Sequence, residues 1–334
     1  MVNAQRPLIL QTENSSYLAK EVFDQLGGEA DIADIKIERF ANGEWYVEVP
    51  HIRGRRIYVF HSPVVTGSYS PDTFCVQAHL IDDAIRRTIQ DGFITYVTPH
   101  LPYQRKDRQG QEEPRTPISS RRMMMSFFDP YYPLPTSMIT FDMHNDAIAG
   151  QVPYHIDHLY ASPVLLARFR EREDIVFVSP DVGAAKRTRA VAKKHAPGTE
   201  IIIVDKRRPQ RGAAEVVNLV GPSPAPEKTY VMYDDLCDRG GTIIGGSSAL
   251  RKEGAVDIFA AFTHPVFSPD TDGVAAESKL RTLGTKVVTT NSIWRGEEYA
   301  RENAGWLEIV SLGPLIADAI SHIERGESVS DMFR

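Results

Sequence analysis

In the stretch DDLCDRGGT (234–242), three acids, Asp234, Asp235 and Asp238, crowd against Arg239, the pair Gly240–Gly241 and Thr242. The apolar run TYVMY (229–233) precedes it, and the amphipathic GTIIGGSSALRKEG (241–254) continues from it. A parallel strand that passes through such a turn into a helix puts the loop at the carboxyl edge of a sheet. There, backbone N–H groups and the helix N-terminus attract a phosphate. Carboxylates repel phosphate, but they accept hydrogen bonds from the vicinal hydroxyls of a sugar. Acids for hydroxyls and glycines for phosphate let one segment grip both ends of a ribose phosphate. The same residues would also serve as an acidic cap on a glycine-rich turn, and a glycine loop alone is a weak signal.

Three other segments carry related chemistry. VSPDVGAAKR (178–187) repeats the order of strand, acid and small-residue turn, then places Lys186 and Arg187 at a helix start. Cations there oppose the helix dipole, so an anionic ligand is expected to offset them, and Asp181 is placed for a metal ion that neutralises the same ligand. FDMHNDAIAGQVPYHIDHLY (141–160) carries Asp142, His144 and Asp157 after an apolar run. An oxygen-rich set with one histidine suits Mg²⁺, which takes a few carboxylates plus substrate phosphates, better than zinc, which needs more nitrogen or sulfur ligands, although His144 by itself reads first as a hydrogen-bonding residue at a strand end. DKRRPQR (205–211) puts four cations in seven residues directly after EIIIV (200–204). Such a loop can clamp a transferring phosphoryl group and stabilise developing charge.

The elements that must position these loops alternate along the chain. Apolar runs at 57–60, 94–98, 138–141, 175–179, 200–204, 229–233, 257–263 and 286–290 are separated by helix-like stretches such as 74–89 and 241–254. That succession is the mark of βαβ units and a mostly parallel sheet. RRIYVFHSP followed by FITYVTPHLPY loosely parallels KTYVMYDDL followed by VDIFAAFTHPVFS, as two similar α/β domains would. The 334 residues also predict two domains at roughly 100–200 residues each.

A net charge of -6 speaks against a nucleic-acid partner. Cys75 and Cys237 form no CxxC pair, which leaves out a disulfide framework and fits a reducing, cytoplasmic setting. No apolar run reaches about 18 residues, so no membrane span is expected.

Taken in order, PYQRKDR, PRTPISSR, FDMH, IDHLYASPVL, VSPDVGAAKR, DKRRPQRGAAEVVNLVG and DDLCDRGGT resemble the ribose-phosphate pyrophosphokinases, the synthases of phosphoribosyl pyrophosphate. The resemblance runs from RFANGEWYVEV (39–49) to THPVFS (263–268) and beyond. It implies two phosphoribosyltransferase-like (type I) α/β domains, each a mostly parallel sheet flanked by helices. We expect an N-terminal domain over 1–155 and a C-terminal one over 156–334, with the last helix packing back on the first. It further implies a homo-oligomer built on dimers, commonly a hexamer, that moves the β,γ-diphosphate of ATP onto the C1 hydroxyl of ribose 5-phosphate. On this resemblance Phe40, Asn42, Gly43, Glu44, Arg105 and Lys106 contact ATP, while His144 and Asp181 hold Mg²⁺. Lys206 and Arg208 match the catalytic loop, and Asp234, Asp235, Asp238, Arg239, Gly240, Gly241 and Thr242 match the ribose 5-phosphate site.

The chain departs from the family at several points. Pro153 stands where an acid is usual, Arg239 where threonine is usual, and Val182 and Ala184 replace more permissive residues in the 178–187 turn. Arginine can bind phosphate bidentately but does not mimic a hydroxyl. Two other functions share parts of this pattern. A non-catalytic partner of an active synthase would keep the fold and lose parts of the site. A phosphoribosyltransferase would share DDLCDRGGT without needing the N-terminal segment or the KRR loop.

Overall fold

The computed structural model of the chain describes all residues except 1–5, 66–67, 111–113, 128–133, 135, 208–215 and 334. The chain divides into two compact units. The first comprises Met1–Tyr160, Ser292–Arg295 and Ser311–Arg334, and the second Ala161–Asn291 and Gly296–Val310.

The first unit is built on strands β1 (Leu8–Gln11), β2 (Asp31–Asp34), β3 (Arg56–Phe60), β4 (Phe93–Val97), β5 (Thr136–Phe141) and β6 (His155–Leu159). They form one sheet in the order β6-β5-β4-β3-β1-β2, and every pairing in it is parallel. Helices α1 (Ser16–Gln25) and α2 (Pro71–Ile89) flank it. Proline at the start of α2 loses no intrahelical bond there. Phe74, Cys75, Ala78, Ile81, Ile85 and Ile89 recur every three or four residues and line its buried stripe. That stripe packs in one core with Leu8, Leu10, Ile57, Val59, Ile94 and Tyr96 of the sheet. Within this core Arg86 Nε sits 2.8 Å from both Asp82 oxygens, and Tyr96 donates to Asp82 Oδ1 at 2.6 Å. The antiparallel ribbon of Lys36–Arg39 and Trp45–Glu48 stands apart from the main sheet.

The second unit has strands β7 (Ile175–Ser179), β8 (Ile202–Arg207), β9 (Val216–Val220), β10 (Thr229–Cys237), β11 (Asp257–Pro265), β12 (Lys286–Thr290) and β13 (Leu307–Val310). Their order is β9-β8-β7-β10-β11-β12-β13. Within this sheet only the edge pair β8–β9 is antiparallel among the described residues. All five residues of β7 are buried, as a strand covered on both faces must be. Helices α3 (Ala185–His195) and α4 (Gly241–Lys252) leave the carboxyl-edge loops that follow β7 and β10. Ile243 and Leu250 of α4 pack with Val204, Met232, Ala260 and Phe262.

The final helix α5 (Gly313–Arg325) belongs to the first unit, where it packs on α1. Ser311 donates to Glu21 Oε2 at 2.5 Å, and the Glu21 carboxylate lies over Gly313, where a Cβ would stand 2.5 Å from Glu21 Cδ. A side chain at that position would displace the Glu21 carboxylate, which the dipole favours at a helix start. Both cysteines are buried and free. Among the described residues no helix is long and apolar enough to cross a membrane.

Candidate functional site

In the first unit, Phe40, Asn42, Gly43 and Glu44 share the turn of the antiparallel ribbon. Phe40 and Gly43 close it, with Gly43 N–H donating to Phe40 O and Phe40 N–H to Glu44 O, both at 2.9 Å. Gly43 takes φ +88°, a conformation that favours glycine. Asn42 Oδ1 accepts from Glu44 N–H at 3.1 Å. The Arg39 guanidinium lies 3.9 Å over the Trp45 ring and Arg39 Nη1 donates to Gly43 O at 3.3 Å, which stiffens the ribbon. Phe40, 54% exposed, thus presents an aromatic face on a rigid support.

Arg105 and Lys106 lie in the loop after β4, which is tied to the segment after β5. Gln104 Oε1 accepts from His144 N–H at 2.8 Å. Asp107 Oδ2 accepts from Asn145 Nδ2 at 2.6 Å, and Asp107 O accepts from Gln151 Nε2 at 3.1 Å. His144, exposed, follows Asp142, whose φ of +33° is strained for a residue with a side chain.

In the second unit, Asp181 follows β7 and accepts from Ala184 N–H at 2.8 Å through Oδ1. Its Oδ2 has no hydrogen-bond partner among the described residues. The acid pair lies inside β10 rather than beyond it, because that strand keeps its pairing with β11 through Cys237. Arg187, in the first turn of α3, reaches both acids, 3.0 Å from Asp235 Oδ1 and 3.7 Å from Asp234 Oδ1. The protein's own carboxylates therefore offset the cost of this cation at a helix start, where an anionic ligand was expected to do so. Lys186 stays exposed. Burial first, then the neighbouring charge of Asp235, raises the Asp234 carboxyl well above the ordinary carboxylate range, against the pull of Arg187.

Gly240 caps α4 at φ +70° and offers no side chain to its first N–H groups. A Cβ there would stand 2.9 Å from Ala276 Cβ and 3.2 Å from Ile244 Cδ1, so the turn admits only glycine. Asp238 and Thr242 are half-buried around it, while Gly241 and Arg239 are exposed. Asp270 feels the charge of Arg239. Lys206 lies on β8 at the sheet's antiparallel edge, paired in register with Val217. Arg208 falls outside the described residues.

Among the described residues no group of three or more His, Cys, Asp or Glu side chains could hold a metal ion by itself. Mg²⁺ does not ask for one. It keeps several waters and binds through one or two carboxylates plus substrate phosphates. Asp181, with one oxygen held in its turn and the other open, fits that donor chemistry.

The pairing of Arg187 with the acid pair and the hold of Gln104 on the FDMH turn are not visible in the sequence. Adjacent cations at a helix start signalled the first, though not its partner. Nothing in the local pattern signals the second.

An α/β chain of two parallel-sheet units, with charged loops at the carboxyl ends of its strands, is the class that fold and site define. Comparison with known proteins narrows it. Residues 8–128 match the N-terminal domain of ribose phosphate pyrophosphokinase, and residues 177–334 match the phosphoribosyl synthetase-associated domain. A ribose-phosphate pyrophosphokinase of Fusobacterium nucleatum is 31% identical over 100% of both chains. One of Synechococcus elongatus is 34% identical, covering 96% of this chain and 92% of its own. The crystal structure of phosphoribosylpyrophosphate synthetase from Mycobacterium smegmatis superposes with a TM-score of 0.80 at 26% identity, covering 96% of this chain and 99% of that one. The chain belongs to the ribose-phosphate pyrophosphokinase family.

Proposed function

We propose that this protein transfers the β,γ-diphosphate of ATP to the C1 hydroxyl of ribose 5-phosphate, giving 5-phosphoribosyl 1-pyrophosphate and AMP. The observation that carries the reading is the run from Asp234 through the left-handed Gly240 into α4. Its acids can take the vicinal hydroxyls, and its glycine turn and helix start can take the 5-phosphate. Asp234, Asp235, Asp238, Arg239, Gly240, Gly241 and Thr242 bind the acceptor. Phe40, with Asn42, Gly43 and Glu44, receives the adenine side of ATP, with Arg105 and Lys106 nearby.

The C1 hydroxyl gives up its proton to solvent as its oxygen attacks the β-phosphorus in line. The new O–P bond forms as the bond to the α,β-bridging oxygen breaks, and AMP leaves. Lys206 and Arg208 neutralise the phosphate oxygens as charge shifts between them. His144 and Asp181 would supply side chains to Mg²⁺. The ion, when bound, screens the triphosphate charge. On this reading the enzyme is cytoplasmic and works as a homo-oligomer built on dimers, a hexamer.

One incubation with ATP, ribose 5-phosphate and Mg²⁺ tests the reading, following AMP and phosphoribosyl pyrophosphate together. Both appear in equal amounts if it is right. ADP in place of AMP would make the protein a simple kinase, and no turnover would make it a non-catalytic homologue. Lys206→Ala is expected to lower turnover by about 10²–10³ or more with the fold intact. Near-normal turnover in that variant sinks the mechanism.

A further inference from the structure

The turn that presents His144 is strained and held from outside by three different acceptors. Asp142, buried, adopts φ +33°, a conformation that costs a non-glycine residue about 1–3 kcal/mol and persists only where its surroundings impose it. Three successive backbone donors, starting with its own, are each taken in turn. Asp142 N–H goes to Leu159 O at 3.0 Å, Met143 N–H to His158 Nε2 at 2.9 Å, and His144 N–H to Gln104 Oε1 at 2.8 Å. The first two acceptors belong to β6, the neighbouring strand. The third arrives from the loop that also carries Arg105 and Lys106.

Gln104 is only 2% exposed, although glutamine is rarely buried. Its Nε2 is buried with no hydrogen-bond partner among the described residues. A buried donor without an acceptor costs about 1–3 kcal/mol. The residue therefore does little for stability through that end, and its polar contact is the one to His144. One residue beyond, Asn145 Nδ2 repeats the tie to the same loop through Asp107 at 2.6 Å.

We propose that Gln104 is a positioning residue. Its side-chain carbonyl fixes the backbone of His144 to the Arg105–Lys106 loop, so that the metal-side histidine and the two ATP-binding cations are set as one piece. The inference rests on the reading of His144 given under the proposed function. Partners one step removed from a metal commonly change affinity or activity by about 10–100-fold when removed.

The test compares wild type, Gln104→Met, Gln104→Glu and His144→Ala by three measurements. These are half-saturating Mg²⁺ in the AMP-release assay, amide hydrogen exchange across 141–147 without nucleotide or metal, and the melting temperature. Gln104→Met keeps the length and removes both the acceptor and the orphaned donor. It is expected to raise half-saturating Mg²⁺ about 10-fold, leave the KM for ribose 5-phosphate unchanged and speed exchange at His144. Its melting temperature should be unchanged or higher. Gln104→Glu keeps the acceptor and restores both Mg²⁺ response and exchange.

A Gln104→Met protein with wild-type Mg²⁺ dependence overturns the inference. If exchange has nevertheless quickened and melting fallen, the contact is only structural. If exchange is unchanged, the contact does not hold the turn in solution. His144→Ala separates the two levels. Should it leave half-saturating Mg²⁺ unmoved, the metal reading of His144 fails and the positioning role falls with it, whatever the exchange shows.

Discussion

Replacing Arg187 by Met removes the guanidinium between Asp234 and Asp235 and keeps the apolar stem. The Asp235 side chain is 4% exposed and lies 3.0 Å from Arg187 Nη1. Removing one partner of a buried ion pair costs about 3–5 kcal/mol, because the other charge stays buried. Arg187 is itself 29% exposed, so solvent already screens part of the attraction, and its place at a helix start is opposed by the dipole. The expected loss is about 2–3 kcal/mol at a pH where both acids would ionise. Its pH dependence has a definite sign. Burial and the charge of Asp235 already hold the Asp234 carboxyl well above its ordinary value, and Arg187 pulls it down. Without Arg187 the folded-state pKa rises further. A raised carboxyl pKa penalises the fold above that pKa, and the penalty fades as pH falls toward the unfolded value of about 4. Urea unfolding of both proteins at about pH 8 and about pH 5 reads this directly. The gap should be largest at the higher pH and narrow at the lower. A gap below about 1 kcal/mol at both, or one that widens in acid, refutes the argument.

Gly240→Ala forces a side chain into φ +70° with its Cβ 2.9 Å from Ala276 Cβ. It should destabilise by about 2 kcal/mol and raise the KM for ribose 5-phosphate while leaving that for ATP unchanged; equal shifts in both would count against the acceptor assignment. His61 is buried against Phe74, with Nε2 donating to Phe74 O at 3.3 Å, and burial lowers its pKa to about 4. Because the unfolded chain takes up the proton first, its contribution is full above about pH 6.5 and is lost as pH falls toward 4, a change of about 3 kcal/mol. Unfolding titrations of wild type and His61→Gln should differ in slope across that window, and parallel curves would refute the burial argument.

How much could be read beforehand follows from how local each feature is. IVFVS at 175–179 and KVVTT at 286–290 are strands with those bounds. The 74–89 and 241–254 stretches hold helices Pro71–Ile89 and Gly241–Lys252. Apolar periodicity is a property of neighbours, and the parallel sheet follows from strand and helix in alternation. The four-residue strands LILQ and LEIV give too short a period to separate from any apolar cluster. Their place is set by pairing with distant strands. The glycine turn into the 241–252 helix was legible for the same local reason, since Gly-Gly between an apolar run and an amphipathic one marks a turn.

The tertiary structure alone decided who meets whom. Arg187 could have faced a ligand or a carboxylate, and the pairing of β7 with β10 puts it against Asp235. Gln104 and His144 stand 40 residues apart and meet because β4 and β5 run side by side in parallel, so the loops leaving them share one edge. Chemistry is written in residue types. Contact between distant residues is written in strand order and register, which only the closed core supplies.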